Sequence, residues 1–193
     1  MPLTINSPAF PAQHTIPPQF SRDGGNVSPP IEWRDAPAGT RSFALIVEDP
    51  DAPKGTFRHW AAYDIPSDTR QLTEAAGSRE SGPTLQMGRN DFGNARYDGP
   101  QPPPGHGTHH YHFRLFALDV PELEVSPDSP ASDILAAAEE HALEEAEVIG
   151  LFEKSDAPGI QPHIADEDKI ARTGSANEAI RNTPPAGDWN DTA

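Results

Sequence analysis

Residues 43–65 read FALIVEDPDAPKGTFRHWAAYDI, and the interpretation of this stretch decides the fold. Phe43, Leu45 and Val47 alternate with Ala44, Ile46 and Glu48, an apolar run whose one charge stands at its far end. Such a run predicts a strand buried on both faces. Asp49-Pro50-Asp51-Ala52-Pro53-Lys54-Gly55 follows, and its prolines and glycine stop a ladder and force a tight, exposed path. His59 to Ile65 resumes the strand pattern until Pro66 ends it. Asp49 and His59 should therefore meet at one rim of a sheet. Two readings fit that meeting: a small binding or catalytic pocket, or a turn aspartate beside a half-exposed histidine.

The next strand outward is His109–Leu118, HHYHFRLFAL. Period two puts His109, Tyr111, Phe113, Leu115 and Ala117 on one face, so a polar pair at the entry gives way to apolar side chains. Between the two strands, residues 87–107 hold so many glycines and prolines that neither a helix nor a central strand can form. A structureless segment of that length points to a functional loop or to disorder, and Phe92 and Tyr97 are anchors for an ordered one.

The remaining elements are short. Leu3–Ser7 and Ile31–Trp33 read as strands, and residues 8–30 as mostly irregular, with a turn at Asp23-Gly24. Ser132 is the expected N-cap of a helix over 132–143, which packs Ile134, Leu135, Ala138 and Ala142 on the core. Its Glu139, Glu140, Glu144 and Glu145 form a solvated face. Residues 145–153 supply a last strand. The pattern then fails, and 156–193 reads as an acidic, mobile tail in which Ile160, Ile164, Ile170 and Trp189 are candidate docking residues. The expectation is one all-β domain over 1–155, loop-rich and carrying one C-terminal helix.

With 193 residues the chain can bury one sizeable core. Its formal net charge of −16, with three lysines among 14 basic residues, argues against nucleic acid and anionic membranes as partners. There is no cysteine, which removes disulfides, thiol catalysis and Cys-ligated zinc. No apolar run reaches the ~20 residues of a membrane span. The first ten residues have no basic start and no apolar core, so a cytoplasmic protein is expected. Nothing in the sequence calls for a cofactor.

If the strand ends converge, Asp49, His59, His109 and Tyr111 line a small cavity with backbone N–H groups freed by the glycines of the 99–107 loop. Imidazoles and N–H groups suit an oxyanion. Asp49-Pro50-Asp51-Ala52-Pro53 with the following His59-Trp60 resembles the first signature of the phosphatidylethanolamine-binding protein family, and Gly107-Thr108-His109-His110-Tyr111 resembles the second. Asn90-Asp91-Phe92-Gly93, Asp23-Gly24-Gly25-Asn26-Val27-Ser28-Pro29-Pro30 and the loop Asp98–Gly105 are closer still to the prokaryotic Raf-kinase-inhibitor-like branch, the YbhB/YbcL type.

The resemblance covers about residues 3–155 and implies a Greek-key antiparallel β-sandwich. It also implies a pocket for phosphate, acetate or a phosphoethanolamine-like headgroup, built by Asp49, His59, His109 and Tyr111 with Gly99 and Pro102 from the loop. A cis bond at Asp49–Pro50, a bracing role for Asp51, a homodimer, and a kinase or protease as protein partner belong to the same set of implications. Two residues depart from the family pattern. His110 stands where arginine is usual and should act at the rim, and Gln101 either narrows the mouth or adds an amide donor.

Three other readings stay open. Asp49, His59 and His109 could hold a metal as a 2-His-1-carboxylate set. They could serve a hydrolase through a water nucleophile, since no serine or threonine sits in a nucleophile elbow. The third is a docking protein. A binding module is the preferred reading.

The acidic balance also carries an expectation of adaptation to a salt-rich cytosol. Raising KCl from about 0.1 M to about 1 M shortens the screening length from about 10 Å to about 3 Å. The melting temperature and solubility are expected to rise with it; a protein equally stable and soluble in low salt contradicts the expectation.

Overall fold

A computed structural model describes residues 1–78 and 85–154. The tail expected over 156–193, with Ile160, Ile164, Ile170 and Trp189, lies outside the described residues. In chain order the strands are β1 (Thr4–Asn6), β2 (His14–Thr15), β3 (Ile31–Arg34), β4 (Ser42–Asp49), β5 (Phe57–Pro66), β6 (Gln71–Leu72), β7 (Gln86–Met87), β8 (His109–Leu118) and β9 (Ala142–Phe152). A 3-10 turn at Pro18–Phe20 precedes β3, and helix α1 (Ala131–Glu140) lies between β8 and β9.

β4 is buried at every position because it runs through the middle of the larger sheet, whose order is β2-β9-β8-β4-β5-β7. It pairs antiparallel with β5 on one side and β8 on the other. On its inner face Phe43, Leu45 and Val47 join Phe113 and Leu115 of β8. These pack on Ile31, Trp33 and Leu72 of the small sheet, β1-β3-β6. On the outer face Ala44 and Ile46 meet Ala61, Tyr63, Phe116 and Leu118, and α1 covers them with Ala131, Ile134, Leu135 and Ala138. Each fully buried Val, Leu or Ile side chain contributes about 1.5–3 kcal/mol of transfer free energy. A strand covered on both sides therefore has no reason to alternate with polar residues.

The result is the expected mainly β sandwich with one helix. The long connection from β5 to β8 crosses to the far side of β4, a non-local return of the Greek-key kind. One pairing, β2 with β9, is parallel. No described helix is long and apolar enough to cross a membrane.

The helix departs from the expectation at both ends. It starts at Ala131 after Pro130, with no side-chain cap, and the Ser132 hydroxyl bonds Asp133 at 3.2 Å instead. The first helical N–H, that of Ala131, is taken at 2.7 Å by the carbonyl of Arg89, which starts the helix before Ser132 and places that serine inside its first turn. At the other end the β8–β9 ladder runs from His109↔Phe152 to Leu118↔Ala142. It captures Ala142–Glu144 into the strand, and Ala142 is exposed rather than packed on the helix face.

Candidate functional site

The inner face of the large sheet ends in polar side chains where β4, β5 and β8 reach the rim. Asp49 closes β4, and its Oδ1 accepts the N–H of Asp51 at 2.9 Å, closing the turn through the side chain. The described residues contain no cis peptide bond, so the expected cis Asp49–Pro50 is corrected: this side-chain turn is made with trans peptides. The other carboxylate oxygen, Oδ2, accepts from Nδ1 of His109 at 2.8 Å, and both residues are buried.

His59 is placed by a defect in the ladder. Val47 pairs with Trp60 and Glu48 with Arg58, which leaves His59 as the extra residue of a β-bulge. A bulge bends the strand and re-aims one side chain. The unpaired main chain of His59 is satisfied by the loop, its carbonyl accepting from the N–H of Asp98 at 3.1 Å and from Asn90 Nδ2 at 3.2 Å. Its ring is fixed the same way: Nδ1 donates to the carbonyls of Asp98 at 2.8 Å and Gly99 at 3.1 Å. Among the described residues Nε2 of neither His59 nor His109 takes a hydrogen-bond partner.

The loop that holds His59 is held in turn by Asp98, whose side chain has no exposed surface. Asn26 and Arg96 donate to its Oδ1 at 2.9 and 3.2 Å, and Asn90 and Asn94 to its Oδ2 at 2.9 and 2.8 Å. Burial opposes the charge, yet these donors together hold the carboxyl below its usual range. The family-like motifs around Asn26 and Asn90 thus build the support of the site. Asn90 Oδ1 also accepts the N–H of Phe92 and of Asn94, each at 3.0 Å, shaping the turn that carries Phe92.

The sequence offered no signal for Asp98 beyond a turn-like Asp-Gly pair. Gly99 is required for a different reason than a freed N–H. A Cβ there would stand 2.0 Å from the carbonyl oxygen of Phe20. Its N–H is committed to Asn26 Oδ1 at 2.9 Å, which corrects the expectation that glycine leaves this donor for a ligand.

A cavity of about 240 Å³ opens at this rim. Asp49, His59, His109 and Pro102 line it, together with Phe57, Phe92, Pro103 and Gln101 and the turn Ala52–Gly55, which brings Lys54 to the site. Of the six residues expected in the pocket, Asp49, His59, His109 and Pro102 are therefore brought together, whereas Gly99 and Tyr111 are not among the lining residues. Tyr111 is wholly buried, and its hydroxyl lies against the Asp49 carboxylate and the main chain of Gln101. Burial, with the Asp49 charge nearby, pushes the phenol pKa up, so the hydroxyl keeps its proton.

Gln101 does not offer a free amide. Its Nε2 donates to Asp23 at 2.5 Å and its Oε1 accepts from Arg22 at 2.6 Å. Arg22 in turn lies 4.0 Å over the Phe92 ring. Asp51 accepts from both the N–H and Nδ1 of exposed His110 at 2.8 Å, bracing the turn against β8. The His110 hydrogen bond is what chiefly holds the Asp51 carboxyl below its usual range. No group of three or more His, Asp or Glu side chains among the described residues is arranged to hold a metal ion.

Known proteins resemble this chain along most of its length. A family model described as phosphatidylethanolamine-binding protein matches residues 6–153. A UPF0098 protein of Aquifex aeolicus is 43% identical over 152 residues, covering 79% of this chain and 89% of its own length. A UPF0098 protein of Methanothermobacter thermautotrophicus is 40% identical over 155 residues, covering 79% and 99%. The crystal structure of Escherichia coli YbcL, described as a member of the mammalian PEBP family, superposes with a TM-score of 0.76 at 30% identity. It covers 80% of this chain and 99% of that one.

Burial among the rings of Phe57, Phe92 and Tyr111 pushes the His59 pKa below its ordinary 6.5, against the pull of the Asp98 carbonyl and the Asp49 charge. A histidine that resists protonation when folded contributes stability that is complete above the unfolded pKa and is lost as pH falls from 6.5 through the depressed folded value. Urea unfolding of wild type and His59→Gln between pH 8 and 5 is expected to show the variant less stable at pH 8 and flatter with pH. Parallel pH profiles would contradict this account of the ring.

Proposed function

The chain belongs to the phosphatidylethanolamine-binding protein family, and from that premise we propose that its rim cavity binds a small oxyanion: phosphate, acetate or the phosphorylated end of a phosphoethanolamine-like headgroup. One observation carries the reading. Two imidazoles, each anchored through Nδ1 to a fixed acceptor, reach the same cavity with Nε2 unpaired. Around them the walls are largely aromatic rings and prolines. Such walls exclude water, and a hydrogen bond made in their lower dielectric is stronger than the same bond in solvent.

The volume, about 240 Å³, is smaller than the ~300–1,000 Å³ of pockets for drug-sized ligands. It suits a headgroup or a free anion rather than a whole lipid. Lys54 contributes positive charge from the turn. The net charge of −16 opposes an anion at long range, but screening over about 8 Å leaves the local groups in control.

Binding is favoured over hydrolysis by the lining. Asp49 orients His109 as a carboxylate orients a general base, but among the described lining residues no serine, threonine or cysteine offers a nucleophile, so hydrolysis would need a bound water held between largely apolar walls. A regulatory role toward a protein kinase or protease would use the occupied cavity as its docking site; that finer reading rests on the family resemblance.

Titrating phosphate and phosphoethanolamine to millimolar concentration is expected to shift the ring resonances of both His59 and His109. In Asp49→Ala, or followed at His59 in His109→Ala, those shifts are expected to disappear. Rings unmoved at millimolar ligand contradict the proposal.

A further inference from the structure

The polar part of the cavity is built of acceptors as much as donors. Nδ1 of His59 faces two carbonyl oxygens, which can only accept, so this nitrogen carries the ring proton. Nε2 therefore presents a lone pair, as does Nε2 of a neutral His109, whose Nδ1 proton is given to Asp49. Asp49 accepts the Asp51 N–H at Oδ1 and the His109 Nδ1–H at Oδ2, and the Tyr111 hydroxyl lies against the same carboxylate. The roughly four lone-pair sites of a carboxylate leave room for one further donor. An oxyanion without a proton would set its own lone pairs against these groups and leave these acceptors desolvated and unpaired. An oxyanion with an O–H supplies what they lack.

Resting on the anion-pocket reading above, we propose that this site selects oxyanions that carry a proton, with Nε2 of His59 and the carboxylate of Asp49 as the acceptors that recognise it. Hydrogen phosphate and the monoanion of a phosphomonoester qualify; sulfate and acetate, both ionised and without a proton at neutral pH, are the disfavoured members of the oxyanion class. The groups facing His59 are few. Asp49 comes from β4, His109 and Tyr111 from β8, Asp98 from the loop behind, and Lys54 from the turn, while Arg22 stands on Phe92. The ring cage of Phe57, Phe92 and Tyr111, with centroids 5.1, 5.6 and 5.2 Å away, favours the neutral imidazole that this selection needs.

The consequence differs between ligands. Inorganic phosphate keeps a proton throughout pH 6–8, whereas a phosphomonoester loses its last with a pKa of about 6. The test is calorimetric titration of the full chain with phosphate, phosphoethanolamine and sulfate at pH 6 and pH 8, at constant ionic strength. Phosphate is expected to bind at least about tenfold more tightly than sulfate at both pH values, since a site whose buried polar groups are left unpaired rejects the analogue that leaves them so. Phosphoethanolamine is expected to weaken more than phosphate between pH 6 and 8.

Sulfate bound as tightly as phosphate overturns the selection and leaves the anion pocket standing. Binding of none of the three overturns both. In His59→Gln, whose amide can turn a donor toward the ligand, the preference for phosphate over sulfate is expected to shrink. An unchanged ratio would remove His59 from the role.

Discussion

The structure around the cavity depends on one buried charge. Asp98 has no exposed side-chain surface, and an unpaired carboxylate in that position would be heavily penalised. Three asparagines and two arginines converge to prevent this: Asn26 before β3, Asn90 and Asn94 in the loop after β7, Arg96 beside it, and Arg22, whose Nε stands 3.5 Å from Oδ1. Their donors tie together chain segments that no β-ladder joins. The main chain of Asp98 meanwhile pairs with His59 twice, receiving its Nδ1–H and donating to its carbonyl. A carboxylate that never touches the cavity thus fixes the ring that does.

The sandwich supplies the other half of the preorganisation. β4 and β8 are clamped between the small sheet and α1, so Asp49 and His109 stand at the ends of elements with little freedom to shift. His59 sits on the third strand but at a bulge, where the loss of regular pairing would by itself leave its orientation loose. The loop network makes good that loss. Two residues set by strands and one set by a hydrogen-bonded loop therefore share a single rim, each with a hydrogen-bond partner behind its ring or carboxylate.

Much of this was legible in the chain because it followed from simple periodicity. The doubly covered β4 shows as an unbroken apolar run, and the alternation in β8 alone separates His109 and Tyr111 from His110 and His112. Asp49, His59 and His109 were recognisable as strand-end residues flanking turns. What stayed hidden depends on contacts far apart in sequence. Asp98 reads as one turn residue among many until Asn26, 72 positions away, is brought beside it. Gly99 looked like a source of free N–H groups, whereas the constraint on it is the approach of Phe20. The early start of β9 was masked by acidic residues that only the full-length ladder with β8 organises. The helix begins one residue before the expected serine cap, its first N–H held by a carbonyl from another loop, so Ser132 falls inside the first turn.

Both histidines are held through Nδ1, and among the described residues Nε2 of neither has a partner at the cavity. Two-bond ¹H–¹⁵N correlation of the imidazole rings reports the tautomer of each directly. Neutral His59 and His109 are both expected to carry their proton on Nδ1, with an Nε2 shift typical of an unprotonated nitrogen. A His59 found with its proton on Nε2 would contradict this arrangement: neither the Asp98 nor the Gly99 carbonyl could then be holding the ring.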